Sequence, residues 1–122
     1  MNPSQTLTNQ ISIRPDLTLS VEPLQNLCQH WKIVELALFG SVLRDDFNPN
    51  SDIDLLITFA DSARITFFDL DEIEQQFSIL FENRPVDVVT RNAIEQSHNP
   101  IRRQNILNNA KIIYEQRSGS AT

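Results

Sequence analysis

The stretch GSVLRDDFNPNSDIDLLI, residues 40–57, carries the pattern that decides the fold of this chain. A Gly40-Ser41 pair follows one short apolar segment, and Asp52 and Asp54 stand at the start of the next. Because side chains two residues apart on a strand point to the same face, the two carboxylates are expected to lie together. The Gly-Ser turn can offer free backbone N–H groups to a phosphate. Carboxylates that hold divalent metal beside a phosphate-binding turn are typical of phosphoryl or nucleotidyl transfer sites.

Apolar periodicity on both sides of this stretch predicts a chain in which helices and strands alternate. The predicted strands cover residues 33–39, 53–59 and 85–89. The predicted helices cover residues 20–31, 41–47 and 100–114. A further, long helix is predicted to begin at a capping box formed by Thr66 and Asp69. This order indicates an α/β (α+β) fold with a single small mixed sheet of about three or four strands packed with helices.

Size and composition limit the classes of function. The 122 residues predict one domain, with a flexible N-terminal arm over residues 1–16, the domain itself over 17–117 and a disordered tail over 118–122. The net charge of −6 argues against direct binding of nucleic acid. No apolar stretch reaches the roughly 18 residues of a membrane span, and the start of the chain has no signal-peptide core. With its single Cys28, which suits a reducing compartment, the sequence predicts a cytoplasmic protein without a membrane partner.

The third predicted strand contains the candidate third metal ligand, Asp87. An unpaired charge among the apolar residues Val86–Val89 would be costly, so either a cation or a nearby arginine, Arg84 or Arg91, is expected to compensate it. Three aspartates on two adjacent strands could hold two Mg²⁺ ions roughly 3.5–4 Å apart. Taken alone, Asp52 could instead cap a turn. The hypothesis of a metal site therefore depends on the joint occurrence of the acids and the Gly-Ser turn.

The Gly-Ser-x10-Asp-x-Asp motif of residues 40–54 resembles the signature of the DNA polymerase β-type nucleotidyltransferase superfamily. Chain length and element order resemble its smallest branch, the minimal nucleotidyltransferase (MNT) proteins, and the resemblance covers roughly residues 20–116. Asp87 fits the third acid of that family, whereas Asp45 stands where many relatives have glycine. The resemblance implies the nucleotidyltransferase fold.

The same resemblance implies a role for each residue of the motif. The residues that would bind the triphosphate of the nucleotide are Gly40, Ser41 and Arg44. The catalytic residues, which would also ligate Mg²⁺, are Asp52, Asp54 and Asp87. Asp87 would in addition help to activate the acceptor hydroxyl. Arg44 could instead form a structural salt bridge with Asp45 or Asp46.

MNT proteins are commonly antitoxins that are paired with a HEPN-type ribonuclease toxin. The resemblance implies a protein adenylyltransferase that uses two Mg²⁺ ions to transfer AMP from ATP onto a tyrosine hydroxyl of that toxin. Because 122 residues leave little room for an acceptor-binding domain, the acceptor is expected to be a separate protein. Two alternatives stay open: a non-catalytic antitoxin that masks the toxin by binding, and a small-molecule nucleotidyltransferase that modifies an antibiotic.

Overall fold

The computed structural model describes residues 9–116, which form six strands, four α-helices and one 3-10 helix. The strands are β1 (Gln10–Arg14), β2 (Leu17–Ser20), β3 (Ile33–Phe39), β4 (Ile53–Phe59), β5 (Val86–Thr90) and β6 (Lys111–Glu115). The helices are α1 (Val21–His30), α2 (Phe67–Leu80), α3 (Arg91–Glu95) and α4 (Pro100–Asn109), and the 3-10 helix covers Gly40–Leu43. Within residues 9–116, none of these helices has the length and apolar character needed to cross a bilayer. The tail predicted over residues 118–122 lies outside the described residues.

The main sheet has four strands in the order β5-β4-β3-β6, and β1 and β2 form a separate antiparallel hairpin. Strand β3 runs antiparallel to both of its neighbours, whereas β4 and β5 are parallel. The predicted mixed sheet is confirmed. This topology brings the C-terminal end of β3 and the N-terminal ends of β4 and β5 to the same end of the sheet.

Apolar side chains cover both faces of the main sheet. Strand residues such as Leu36 and Leu55 belong to the larger cluster, together with Cys28 of α1 and Phe77 of α2. On the opposite face, the smaller cluster comprises Ala37, Phe39, Leu56, Ile94 of α3 and Ile106 of α4. Cys28 lies within the larger cluster, and its side chain is fully inaccessible to solvent. The sheet is therefore the middle layer of three.

Several predicted elements agree with the structure. Strands β3 and β4 have the predicted bounds, and helix α2 begins at the predicted capping box. In that box the backbone N–H of Thr66 donates to Asp69 Oδ2 at 2.9 Å, and the backbone N–H of Asp69 donates to Thr66 Oγ1 at 3.1 Å.

Two helix predictions are wrong in their extent. The helix predicted over residues 41–47 is only the 3-10 turn Gly40–Leu43. The last helix ends at Asn109, and residues Lys111–Glu115 form strand β6 on the edge of β3. Ile112, Ile113 and Tyr114 are β-branched or aromatic, so they favour a strand once a neighbour offers free backbone groups.

The N-terminal region is more ordered than the predicted arm over residues 1–16. From Gln10 onward the chain forms β1, which pairs with β2 through a tight turn at Pro15 and Asp16. Ile11 and Ile13 alternate with polar residues and pack against the larger apolar cluster, to which Leu17 and Leu19 of β2 also belong. This alternation was the available signal for a strand, and residues 1–8 lie outside the described range.

Candidate active site

Asp54 and Asp87 are paired across the parallel strands β4 and β5. Residues paired in this way point to the same side of a sheet, so the two carboxylates share one face. Asp54 alternates with Ile53 and Leu55, which belong to the larger cluster, so it lies on the other face, the one that α3 and α4 cover. Asp52 precedes β4 by one residue and is exposed.

The electrostatic environment of Asp54 connects it to the other two acids. Burial raises the pKa of Asp54, and the charges of Asp87 and Asp52 raise it further. The positive charges of Arg44 and Arg102 act in the opposite direction and lower the pKa. Three acids therefore concentrate negative charge at the beginning of β4 and β5.

The donor chemistry of these acids fits Mg²⁺, which prefers carboxylate oxygens together with water and phosphate. Crowded carboxylates that repel one another gain from a shared cation, which supports the same fit. Among residues 9–116, however, no three Asp, Glu, His or Cys side chains already stand close enough together to hold a metal ion. The assignment of Asp52, Asp54 and Asp87 as Mg²⁺ ligands stays a prediction.

Asp87 does not have the buried environment that its apolar neighbours predicted. Its side chain is exposed, although Val86, Val88 and Val89 are half-buried. The salt bridges among the described residues do not include Asp87, and Arg91 pairs instead with Glu35 at 3.2 Å. An exposed carboxylate can be solvated by water, so burial gives no reason for a compensating cation here. The observation that supports a role for Asp87 in the site is instead its position opposite Asp54.

Gly40 is the one residue of the phosphate-binding motif whose identity the backbone itself requires. Its φ is +81°, a conformation that residues with a Cβ atom rarely adopt. A Cβ atom at this position would overlap Oδ2 of Asp54 and lie 3.2 Å from its Cγ. The Gly-Ser turn and the Asp54 carboxylate are therefore in direct contact.

A cleft of about 950 Å³ opens beside this contact, between the 3-10 turn and helix α4. The turn side of the cleft comprises Phe39, Gly40, Leu43 and Arg44. The helix side includes Asn99, Ile101, Arg102, Asn105, Ile106 and Asn109. This volume lies near the upper end of the range for small-molecule sites, roughly 300–1,000 Å³. The cleft is large enough for a nucleotide.

Arg44 makes one of the two contacts that the sequence left open. Its Nε lies 3.3 Å from Oδ1 of Asp46, which confirms the structural salt bridge. Both side chains are largely exposed, so this pair contributes little to stability. Arg44 also lines the cleft and lowers the pKa of Asp54, so the salt bridge and a role beside the nucleotide are compatible.

Sequence reasoning missed the contribution of helix α4 to this site. Arg102 had no assigned role, yet it lines the cleft, and its charge lowers the pKa of Asp54. Asn99 caps the helix by accepting from the backbone N–H of Arg102 at 3.0 Å, which fixes the first helical turn beside the cleft. The Asn99-Pro100 pair was a visible signal for the helix start but not for its position in space.

Residues 22–113 match the family described as "Nucleotidyltransferase domain". The chain belongs to this nucleotidyltransferase family. Membership confirms the predicted resemblance to nucleotidyltransferases, the predicted nucleotidyltransferase fold and the prediction that the protein is an enzyme of this class.

Two curated relatives come from Methanocaldococcus jannaschii, and both are named as candidate protein adenylyltransferases. This nucleotidyltransferase is 35% identical to MJ0126 over 82 residues, which are 67% of this chain and 78% of that protein. It is 35% identical to MJ1217 over 80 residues, which are 66% of this chain and 76% of that protein.

Solved structures with the same fold include a toxin–antitoxin crystallised with AMP-PNP, with a TM-score of 0.58 and 21% sequence identity. The match covers 78% of this nucleotidyltransferase and 73% of that chain. A candidate minimal nucleotidyltransferase matches with a TM-score of 0.55 and 29% identity, over 73% of this chain and 84% of the other.

Proposed function

We propose that this nucleotidyltransferase is an antitoxin that transfers AMP from ATP onto a tyrosine hydroxyl of a cognate HEPN ribonuclease toxin. The observation that carries the proposal is the position of Asp54, which lies opposite Asp87 and against Gly40. This arrangement suits a nucleotide whose triphosphate lies on the turn and whose α-phosphorus lies near the acids. The names of the curated relatives and the toxin–antitoxin structures of the same fold support the choice of reaction and partner.

The nucleotide would lie in the cleft beside α4. Gly40 and Ser41 would hold the triphosphate through backbone N–H groups, because the 3-10 turn begins there. Arg44 and Arg102, on opposite sides of the cleft, would add positive charge for the phosphate oxygens. These contacts would orient the α-phosphorus toward the acidic face of the sheet.

Asp52, Asp54 and Asp87 would hold Mg²⁺. When bound, Mg²⁺ lowers the pKa of an attacking hydroxyl and neutralises charge on the triphosphate. The tyrosine oxygen forms a bond to the α-phosphorus, the bond from that phosphorus to the β-phosphate oxygen breaks, and pyrophosphate leaves. Asp87, which is exposed at the sheet edge, would accept the phenolic proton. Most of the rate gain would come from the alignment of the reacting groups.

The direct test combines the purified protein with labelled ATP, Mg²⁺ and the toxin encoded beside its gene. We expect the mass of one or more AMP groups to appear on a toxin tyrosine, and the ribonuclease activity to fall. The variant Asp52→Ala with Asp54→Ala is expected to be inactive. A matched control, Asp61→Ala with Asp71→Ala, removes two exposed acids outside the site and is expected to retain activity. A wild-type protein that adds no AMP to the toxin would contradict the proposal.

The same variant separates catalysis from masking. If Asp52→Ala with Asp54→Ala still protects cells from the toxin at normal expression, binding alone neutralises the toxin. If protection requires both aspartates while the variant still binds the toxin, the antitoxin acts by catalysis. Formation of an adenylylated antibiotic by the purified protein alone would instead favour a small-molecule acceptor.

A further inference from the structure

The loop between the Gly-Ser turn and Asp52 is attached to two arginines from distant parts of the chain. Arg14 belongs to strand β1 of the hairpin, and Arg84 precedes strand β5. Both guanidinium groups lie against the ring of Phe47, with their Cζ atoms 4.9 and 4.4 Å from its centroid. Phe47 is buried and both arginines are half-buried, so the two contacts are partly shielded from water, which strengthens cation–π attraction.

Arg14 also holds the end of the 3-10 turn. Its Nη1 donates to the carbonyl oxygen of Val42 at 3.0 Å and to that of Arg44 at 2.8 Å. A charged donor bound to two carbonyls restrains the backbone more strongly than a neutral donor. Through Arg14, the hairpin therefore restrains the C-terminal end of the 3-10 turn that begins at Gly40.

Arg84 makes the corresponding contacts at the other end of the loop. Its Nη1 donates to the carbonyl oxygen of Asn48 at 3.0 Å and to that of Ser51 at 3.4 Å. Ser51 is the residue directly before Asp52. The next residue after Arg84, Pro85, accepts a hydrogen bond from the backbone N–H of Ile53 at 2.8 Å. These contacts connect the start of β4 to the start of β5.

We propose that Arg14, Phe47 and Arg84 form an arginine clamp that sets the position of the Gly-Ser turn relative to Asp52 and Asp54. The inference rests on the proposed function, and it assigns Arg14 and Arg84 as positioning residues that touch neither nucleotide nor metal. Arg14 precedes residue 22, where the match to the nucleotidyltransferase family begins. Misplacement of reacting groups by about 1 Å can lower a rate about 100-fold, so the clamp acts on catalysis through alignment.

The test compares Arg14→Ala with Arg91→Ala. Arg91 is also half-buried and forms two salt bridges, with Glu35 and Glu95, but it follows the far end of β5, four residues beyond Asp87. We expect Arg14→Ala to lower kcat for AMP transfer about 10- to 100-fold, with less than about threefold change in the KM for ATP. Arg91→Ala is expected to keep kcat, and Arg14→Lys to restore part of it because the ammonium group can still donate to both carbonyls.

Hydrogen exchange of the backbone amides in residues 40–53 gives a readout that does not depend on activity. We expect faster exchange there in Arg14→Ala than in Arg91→Ala or the wild type. Unchanged exchange in Arg14→Ala would overturn the clamp. Faster exchange with wild-type kcat would overturn the positioning role. A wild type that transfers no AMP would overturn the proposed function instead, and exchange alone would then decide whether the clamp holds the turn.

Discussion

Asp54 lies opposite Asp87 in the register of β4 and β5, so two carboxylates occupy adjacent positions on one face of the sheet. Burial of Asp54 and the charge of Asp87 both raise the pKa of Asp54. The fold therefore brings together two like charges that repel each other, and packing alone does not require this arrangement. Local destabilisation of this kind is common where a protein keeps residues for activity rather than stability.

The variant Asp87→Asn should separate the contribution of Asp87 to activity from its effect on stability. The variant removes one of the repelling charges with little change in shape, so the metal-free protein is expected to become more stable. The gain should be less than about 1 kcal/mol, because Asp87 is exposed and solvent screens its charge. Urea unfolding in the presence of a chelator measures the stability, and AMP transfer should be lost in the same variant. Asp61→Asn is the control, and equal stability of the two variants would contradict the repulsion.

Gly40→Ala tests the close approach of the turn to Asp54. The added Cβ atom would overlap the Asp54 carboxylate, and alanine is strained at a φ of +81°. We expect a loss of more than about 1 kcal/mol in the free energy of unfolding and loss of AMP transfer. Asn83→Ala is the control, because Asn83 also has a positive φ, +65°, but lies in the loop before β5. Loss of stability without loss of transfer in Asn83→Ala would separate backbone strain from the contact with Asp54.

The sequence could predict the parts of this site that depend on local pattern. Strands β3 and β4, the turn at Gly40 and the place of Asp54 at the start of the second of these strands follow from short apolar runs and from spacing. The position of α4 could not be predicted, because its place over the cleft depends on how Ile106 packs against the far face of the sheet. Strand β6 was mistaken for helix because its apolar residues fit a helical spacing as well, and only the free edge of β3 decides between the two.

Adjacent arginines on α4 offer a matched pair of variants. Arg102 lines the cleft, whereas Nη1 of Arg103 donates to the carbonyl oxygen of Ser97 at 3.1 Å. Arg102→Ala is expected to weaken the binding of a non-hydrolysable ATP analogue about 10-fold or more, since a hydrogen bond from a charged group contributes about 1.5–3 kcal/mol. Titration calorimetry with Mg²⁺ present measures the affinity. Arg103→Ala should bind the analogue like the wild type, and an equal loss in both variants would argue against a specific contact by Arg102.

Cys28 provides a pH-dependent test of the core that is independent of the site. Burial raises the pKa of its thiol from 9.0 to about 12. Between these two values the unfolded chain releases the thiol proton while the folded chain keeps it, so stability must fall as the pH rises above 9. The expected slope from this group is about 1.4 kcal/mol per pH unit in the free energy of unfolding. Urea unfolding at several pH values compares the wild type with Cys28→Ala, which lacks the thiol, and identical slopes would show that Cys28 titrates normally in the fold.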